Sequence, residues 1–198
     1  MHMVRIMHVI NSLEVGGGER VLLDLVNQYG PPFRSTVCCL KRSGDLARLL
    51  RPDVEVLEMH KPERNDYRLP FRLAGLFRKF RAHIVHSHGW GTFCESVVGA
   101  RLAGVPVSIH TDHGRIHEAQ YPAHWRGQAK LHIRRRVERM LSRYVGAFVL
   151  VSDDLRPALT DLLGLPPERL VTIPNGVPLD APTDSPATLR AGLGFIDG

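Results

Sequence analysis

The sequence predicts an α/β fold, a doubly wound and mostly parallel sheet of about seven strands with helices on both faces. Short apolar runs rich in β-branched residues alternate with segments whose apolar residues recur every three or four positions. Each predicted strand is followed by enough chain for the helical crossover that a parallel neighbour requires. The length of 198 residues is sufficient for one such domain with a short appendage.

A glycine-rich turn joins the first predicted strand, Val4–Ile10, to the first predicted helix. Apolar residues then recur on one helical face: Val21, Leu22, Leu25, Val26 and Tyr29. The consecutive Gly16, Gly17 and Gly18 let the backbone approach a ligand, and free amides at a helix start favour phosphate. We therefore interpret the turn as a phosphate-facing loop. The alternative is an ordinary tight turn in which Glu19 only caps the helix.

The remaining elements follow in the order expected of a doubly wound sheet. Further strands are predicted at residues 35–40, 54–59, 84–87, 106–110, 147–151 and 170–173. Helices are predicted at residues 44–50, 69–80, 92–103, 124–144 and 153–163, with Ser43 as the N-cap of the first. The predicted core face of helix 124–144 consists of Ile133, Val137, Met140, Leu141 and Tyr144. Residues 112–123 are predicted to form a loop, and residues 174–186 a proline-rich connector.

Polar residues concentrate at the carboxyl ends of the predicted strands, the edge at which such sheets bind ligands. Four segments should converge there: residues 12–18, 87–91 and 111–117, and Ser152. Histidines are frequent in or next to these segments: His86, His88, His110 and His113. An imidazole at a strand end can hydrogen-bond a sugar or phosphate oxygen, and the adjacent Gly89 and Gly114 leave room for the ligand.

Two of these histidines raise the question of a metal. His86 and His88 are two residues apart on a strand and therefore point to the same side. A catalytic zinc site needs a third protein ligand, and only Asp112 or His113 is near. We expect no metal site.

Composition limits the classes of function. The net charge of +6 and the sequence pI near 9.6 favour contact with anions. Three cysteines without C-x-x-C spacing fit a reducing cytoplasm, and neither a membrane-spanning apolar run nor a signal peptide is recognised. The motifs G-x-G-x-x-G, G-x-x-x-x-G-K-[ST] and G-x-S-x-G are absent from the sequence, which argues against NAD-type, ATPase and serine-nucleophile chemistry.

Positive charge is concentrated on two of the predicted helices. The candidates for a membrane-facing surface are Arg72 and Lys79 on the first helix, and Arg134, Arg135 and Arg139 on the second. Two interpretations remain open at this point: an ordinary solvated helix face, or a surface that contacts anionic lipid.

Three short motifs occur in order along the chain. They are Gly16-Gly17-Gly18-Glu19, Thr111-Asp112-His113-Gly114 and, at residues 173–177, Ile-Pro-Asn-Gly-Val. Together they resemble the G-G-x-E loop, the T-x-H-[GD] turn and the interdomain linker of GT-B-fold retaining glycosyltransferases of the family-4 type. The resemblance covers the amino-terminal domain, residues 4–180.

The resemblance implies an enzyme of two Rossmann-like domains with the active site in the cleft between them. Residues 1–177 would form the amino-terminal domain, which takes the acceptor. Residues 178–198 would be the linker and the start of a missing carboxy-terminal domain, which holds the nucleotide-diphosphate sugar. The resemblance makes His113 the catalytic candidate. The substrate-binding candidates are Gly16, Gly17, Gly18, Glu19, His88, Gly89, Thr111 and Gly114.

The function implied is sugar transfer, with retention and without a cofactor, to a lipid-linked or polysaccharide acceptor in cell-envelope or exopolysaccharide biosynthesis. The protein would be cytoplasmic, peripheral at the inner face of the membrane, and inactive as this fragment. The alternative is a non-enzymatic anion- or RNA-binding module. The helix aromatics argue against nucleic acid because they fall on or near the predicted core side: Phe71, Phe77 and Phe80.

Overall fold

The computed structural model describes residues 3–63, 65–114 and 125–176. Seven strands form one parallel sheet: β1 (Val4–Ile10), β2 (Phe33–Cys39), β3 (Glu55–Glu58), β4 (Ile84–His88), β5 (Val107–Asp112), β6 (Ala147–Leu150) and β7 (Leu170–Thr172). Their spatial order is β3-β2-β1-β4-β5-β6-β7. The predicted doubly wound, Rossmann-like sheet is therefore confirmed, and the chain changes direction across the sheet between β1 and β4.

The α-helices connect these strands: α1 (Gly17–Gln28), α2 (Leu69–Lys79), α3 (Trp90–Ala103), α4 (Trp125–Ser142) and α5 (Arg156–Leu163). Short 3-10 helices occupy Asp45–Leu49, Asp153–Leu155 and Pro167–Arg169. The helix predicted at residues 153–163 is thus a 3-10 turn followed by α5.

Alternation along β1 separates two cores. On one face, Ile10 packs with Leu22 and Val26 of α1. On the other face, Val9 packs with Leu73 and Phe77 of α2. Helix α3 lies beside α2 on this second face and joins α4 and α5 over β6. The second face is therefore covered by four helices.

Two predictions of local structure were wrong at element ends. Ser43 is not a helix N-cap, because the first 3-10 helix begins after Gly44, and the backbone nitrogen of Ser43 donates to Oε1 of Glu58 at 2.7 Å. Asp112 does not start a loop. It pairs with Leu150 of β6 and extends β5 by two residues beyond its predicted end. Most of the predicted loop and connector, residues 115–124 and 177–186, lies outside the described residues.

The predicted core face of α4 was also wrong. Ile133, Val137, Met140 and Tyr144 are 64%, 37%, 52% and 49% exposed, and of the five predicted residues only Leu141 is buried. The buried side instead carries Glu138, whose Oε1 lies 2.6 Å from Nε of Arg134. The buried side of the helix is therefore turned by about one residue, roughly 100°, from the orientation that apolar periodicity predicts. Phe71 on α2, predicted to lie on or near the core side, is likewise 66% exposed.

Candidate functional site

All four segments predicted to converge lie at the carboxyl edge of the sheet, as far as the described residues extend. A methyl group on Gly91, after β4, would lie 2.5 Å from Nδ2 of Asn11, after β1. A methyl group on Gly18, in the first turn of α1, would lie 3.0 Å from Cγ of His113, which follows β5. Ser152, after β6, caps the following 3-10 helix by accepting from the backbone nitrogen of Asp154 at 3.3 Å. Residues 115–117 of the third segment lie outside the described part of the chain.

Backbone geometry fixes the turns after β4 and β5. Gly89 has φ +72° and Gly114 has φ +146°, values that favour glycine. The Gly89 nitrogen donates to the carbonyl oxygen of Thr111 at 2.9 Å, and the Gly114 nitrogen donates to Oδ1 of Asp112 at 3.0 Å. These bonds hold the His88 and His113 backbones next to each other.

Histidines on neighbouring strands make contact at this edge. His8 Nδ1 lies 3.3 Å from His88 Nε2, and His88 Nδ1 lies 3.4 Å from His113 Nε2. We call His8, His88 and His113 the histidine file. His86 lies beside the file, with its ring centroid 4.0 Å from that of His88 and its Nε2 2.7 Å from Thr111 Oγ1. His110, on the other face of β5, instead packs against Trp90 and other aromatic rings.

Burial keeps these imidazoles neutral. It lowers the pKa of His8 to about 3 and holds the pKa of His88 well below the ordinary value. Burial also lowers the pKa of the half-buried His113. Each ring therefore presents one N–H donor and one bare acceptor nitrogen near neutral pH.

A cavity of about 550 Å³ lies on the α1 side of the sheet, next to this cluster. Its polar walls include His86, His88, Thr111 and His113. Its apolar walls include Val21 and Leu25 of α1 and apolar side chains of β4 to β6. Ile173, Pro174, Asn175 and Gly176, the described part of the linker motif, form its far side. The apolar face of α1, which was predicted to pack on the sheet, is therefore shared between two environments. Leu22 and Val26 lie in the core. Val21, Leu25 and Tyr29 line the cavity.

The phosphate hypothesis for the glycine turn stays a prediction, and the space around each glycine limits where an anion could lie. Gly17 has open space around it, but a methyl group on Gly16 would collide with the carboxylate of Glu19. That carboxylate is folded back against the helix start, which favours the capping role for Glu19. A phosphate at this helix start would have to approach beside Gly17.

His8 was missed by sequence reasoning. It is completely buried in β1, within a run otherwise read as apolar, and its partners are 27 and 80 residues away in the sequence. The available signal was a histidine at a core-facing position of a buried strand. It also supplies the third imidazole absent from the metal argument, because ligand atoms of His8, His86 and His88 lie within 4.8 Å of one another.

The ring nitrogens of His8, His86 and His88 already take part in hydrogen bonds within the protein, however. His8 and His88 bond each other, and His86 bonds Thr111. Neutral, mutually bonded imidazoles are a sufficient explanation of the arrangement. The absence of a metal stays a prediction.

Two of the five arginine and lysine side chains proposed to face a membrane bind within the protein. Arg72 contacts Asp66 at 3.2 Å and the carbonyl oxygen of Met59. Arg134 contacts buried Glu138, and its Nη2 lies 3.3 Å from the carbonyl oxygen of Trp90. Lys79 and Arg139 are exposed, and Arg135 is half-buried. The guanidinium groups of Arg72 and Arg134 thus also stabilise the fold, and the membrane role of all five residues stays a prediction.

The outer side of α4 and the turn that follows it carry an apolar stripe, which we call the α4 stripe: Ile133, Val137, Met140 and Tyr144. The exposed arginines of the same helix end are Arg136, Arg139 and Arg143. Apolar residues at helical spacing beside arginines are typical of helices that lie in a membrane interface. Within the described residues, no helix is both long enough and apolar enough to cross a bilayer.

Comparison with known proteins identifies a curated relative and several structures of similar fold. The curated relative UDP-Gal:alpha-D-GlcNAc-diphosphoundecaprenol alpha-1,3-galactosyltransferase of Escherichia coli is 28% identical over 186 residues, covering 89% of this chain and 46% of that protein. The structure of Anabaena Alr3699/HepE in complex with UDP and glucose superposes with a TM-score of 0.72 at 16% identity, covering 96% of this chain and 50% of that one. A glycosyltransferase from Rickettsia africae gives a TM-score of 0.66 at 15% identity, covering 100% and 51%.

The chain spans about half the length of these proteins. The structural matches, at their low identity, show the fold. Residues 15–181 match the family described as Glycosyltransferase Family 4. The chain belongs to glycosyltransferase family 4.

Proposed function

We propose that this chain is the acceptor-side half of a retaining glycosyltransferase that moves a sugar from a UDP-sugar to a diphosphate-linked lipid acceptor. The observation that carries the proposal is the family match over residues 15–181, together with a relative whose name specifies a UDP-sugar and a diphosphoundecaprenol acceptor. Envelope or exopolysaccharide biosynthesis is the process that such an acceptor serves.

The carboxyl edge supplies the groups such a transfer needs. The Nδ1 atom of His113 is buried and lacks a hydrogen-bond partner among the described residues. A buried polar atom without a hydrogen-bond partner destabilises the protein until a ligand, or a small movement of the ring, provides a partner. The unpaired Nδ1 supports the proposal that His113 bonds a sugar hydroxyl, and the positive φ of Gly114 and the open space around it leave room for the approach. An interaction that strengthens as the glycosidic bond breaks would stabilise the transition state.

The donor is assigned to a second domain. The matched relatives are about twice as long as this chain. The family resemblance assigns donor binding to the carboxy-terminal domain of such enzymes and implies no metal cofactor. We expect transfer to need the second domain and to continue in EDTA.

Membrane contact is assigned to the α4 stripe. A lipid-linked acceptor lies in a membrane, and burying exposed apolar side chains at its interface is favourable at about 25 cal/mol per Å². Arginines beside the stripe each add about 1 kcal/mol on an anionic surface. The stripe and Arg136, Arg139 and Arg143 together make α4 the proposed contact at the cytoplasmic face.

The test is a transfer assay on two proteins. One is the 198-residue chain, and the other is a longer form that continues past residue 198 into a donor-binding domain. Each is incubated with labelled UDP-sugars and a GlcNAc-diphosphate-prenol, and the linkage of the product is determined. We expect α-linked product from the longer form only. Transfer by the short chain, or a β-linked product, would contradict the proposal.

A further inference from the structure

A continuous line of polar contacts crosses the sheet from β2 to the turn after β5. Ser35 Oγ lies 3.4 Å from His8 Nε2, which begins the histidine file. His8 Nδ1 then contacts His88 Nε2 at 3.3 Å, and His88 Nδ1 contacts His113 Nε2 at 3.4 Å. Every link within the file thus joins the Nδ1 of one ring to the Nε2 of the next. The line ends at His113 Nδ1, which has no partner in the described part of the chain.

This regular linkage restricts the protons. A neutral imidazole has one N–H donor and one acceptor nitrogen. If His8 carries its proton on Nδ1, it donates to His88 Nε2, so the His88 proton must also be on Nδ1, and the same follows for His113. If His113 carries its proton on Nε2, the order runs backwards through the file. A mixed set would place two lone pairs or two N–H groups against each other in a buried site.

The end of the line at Ser35 is compatible with either direction of donation. The Ser35 hydroxyl can donate to His8 Nε2 or accept from it, because a hydroxyl does both. Burial lowers the pKa of each ring and so keeps all three neutral, with one donor and one acceptor nitrogen each. His86 does not enter the line, because its Nε2 contacts Thr111 Oγ1.

We infer that His8 and His88 are positioning residues that share one tautomer with His113 and so determine whether its Nδ1 offers a donor or an acceptor to the sugar. This inference rests on the proposed role of His113 in the site. His8 acts through His88 and is assigned no contact with substrate.

The direct test reads the tautomers. Long-range ¹H–¹⁵N correlation spectra of the 198-residue chain at neutral pH distinguish Nδ1–H from Nε2–H imidazoles. We expect His8, His88 and His113 to be neutral and to share one tautomer. Different tautomers among the three, or a protonated ring, would overturn the inference. This readout needs no sugar donor or acceptor, so it stands whether or not the proposed transfer is found.

Variants at His8 test the coupling. His8→Leu removes one link and should convert His113, two rings away, to a mixture of tautomers. His8→Gln keeps a donor and an acceptor and should leave His113 with one tautomer. His83→Gln is the matched control, because His83 bonds the Arg5 backbone nitrogen at 3.1 Å, outside the file. An unchanged His113 spectrum in folded His8→Leu would overturn the coupling. If His8→Leu does not fold, the wild-type and His8→Gln spectra decide.

Kinetics of the longer form separate positioning from simple stability. His8→Leu should lower kcat about tenfold and leave the donor KM unchanged, and His8→Gln should restore most of the loss. Equal loss in both variants would contradict a positioning role.

Discussion

Gly18 lies against the imidazole of His113, so that a methyl group on Gly18 would come within 3.0 Å of Cγ and 3.1 Å of Cδ2 of the ring. The first turn of α1 is therefore one wall of the His113 site. This contact joins two of the three motifs that carry the family resemblance, although they are 95 residues apart in the sequence. The position of His113 depends on how closely the glycine turn approaches it.

Gly18→Ala should displace the His113 ring by a few tenths of an ångström. A shift of that size can be accommodated, so we expect a tolerated change: less than a tenfold loss of kcat/KM, or about 1.4 kcal/mol, in the longer form. Gly17→Ala is the matched control, because nothing lies within 4 Å of the added methyl group. The measurements are kinetics and the His113 imidazole spectrum. Equal effects of the two substitutions would contradict the contact.

His113→Ala should affect both stability and turnover. His88 Nδ1 loses its contact with His113 Nε2, and an unsatisfied buried group costs about 1–3 kcal/mol. In the longer form we expect kcat to fall by about 100-fold, as for loss of one group that stabilises a transition state. Urea unfolding of the chain and turnover of the longer form are the two measurements. Unchanged turnover would remove His113 from the site.

Stability should fall as the solution is acidified below about pH 6.5. The pKa of His8 in the folded chain is about 3, below its ordinary 6.5. Unfolded chains therefore bind a proton that folded chains exclude, and the His8 contribution, complete above pH 6.5, is lost as the pH falls toward 3. The expected slope is about 1.4 kcal/mol per pH unit for each such histidine. Denaturant unfolding of His8→Gln should show a shallower slope, and an identical slope would exclude His8 as the titrating group.

The α4 stripe should bind anionic membranes. Replacing Ile133 and Met140 by serine should weaken binding to vesicles that contain anionic lipid, and Arg136→Gln with Arg143→Gln should lower the affinity by about 1 kcal/mol per arginine. Binding should also decrease with salt, because exposed charges are screened over about 10 Å at 0.1 M. Vesicle sedimentation measures all of these.

Two controls accompany the vesicle measurement. Arg34→Gln removes an exposed charge from β2 and should not change binding. Arg134→Gln should instead destabilise the fold by about 1.5–3 kcal/mol, because buried Glu138 loses its 2.6 Å partner. Binding of the wild-type chain to a short RNA in place of vesicles would favour the nucleic-acid alternative.

Elements with strong local patterns were predictable from the sequence. The parallel, doubly wound sheet follows from βαβ alternation, and Gly89 and Gly114 mark the turns after two of its strands. Element ends were less predictable, because they depend on partners. Asp112 joins β5 because β6 lies beside it, and Ser43 bonds Glu58, which is distant in the sequence.

The orientation of α4 and the role of His8 required the structure. Apolar periodicity placed Ile133 inside, but the side of the helix that faces the protein carries Glu138, paired with Arg134. His8 is brought to His88 only by the β1–β4 pairing, which aligns His8 with His86. Sequence position contains no direct information on such a contact across strands.

The most direct test is equilibrium binding to the 198-residue chain. A short-chain GlcNAc-diphosphate-prenol is titrated in parallel with UDP-sugars, and His113→Ala is measured beside the wild-type chain. If the chain is the acceptor side of the enzyme, the wild-type chain binds the acceptor, His113→Ala binds it more weakly, and UDP-sugars alone do not bind appreciably. Tight binding of a UDP-sugar with no binding of the acceptor would contradict this assignment.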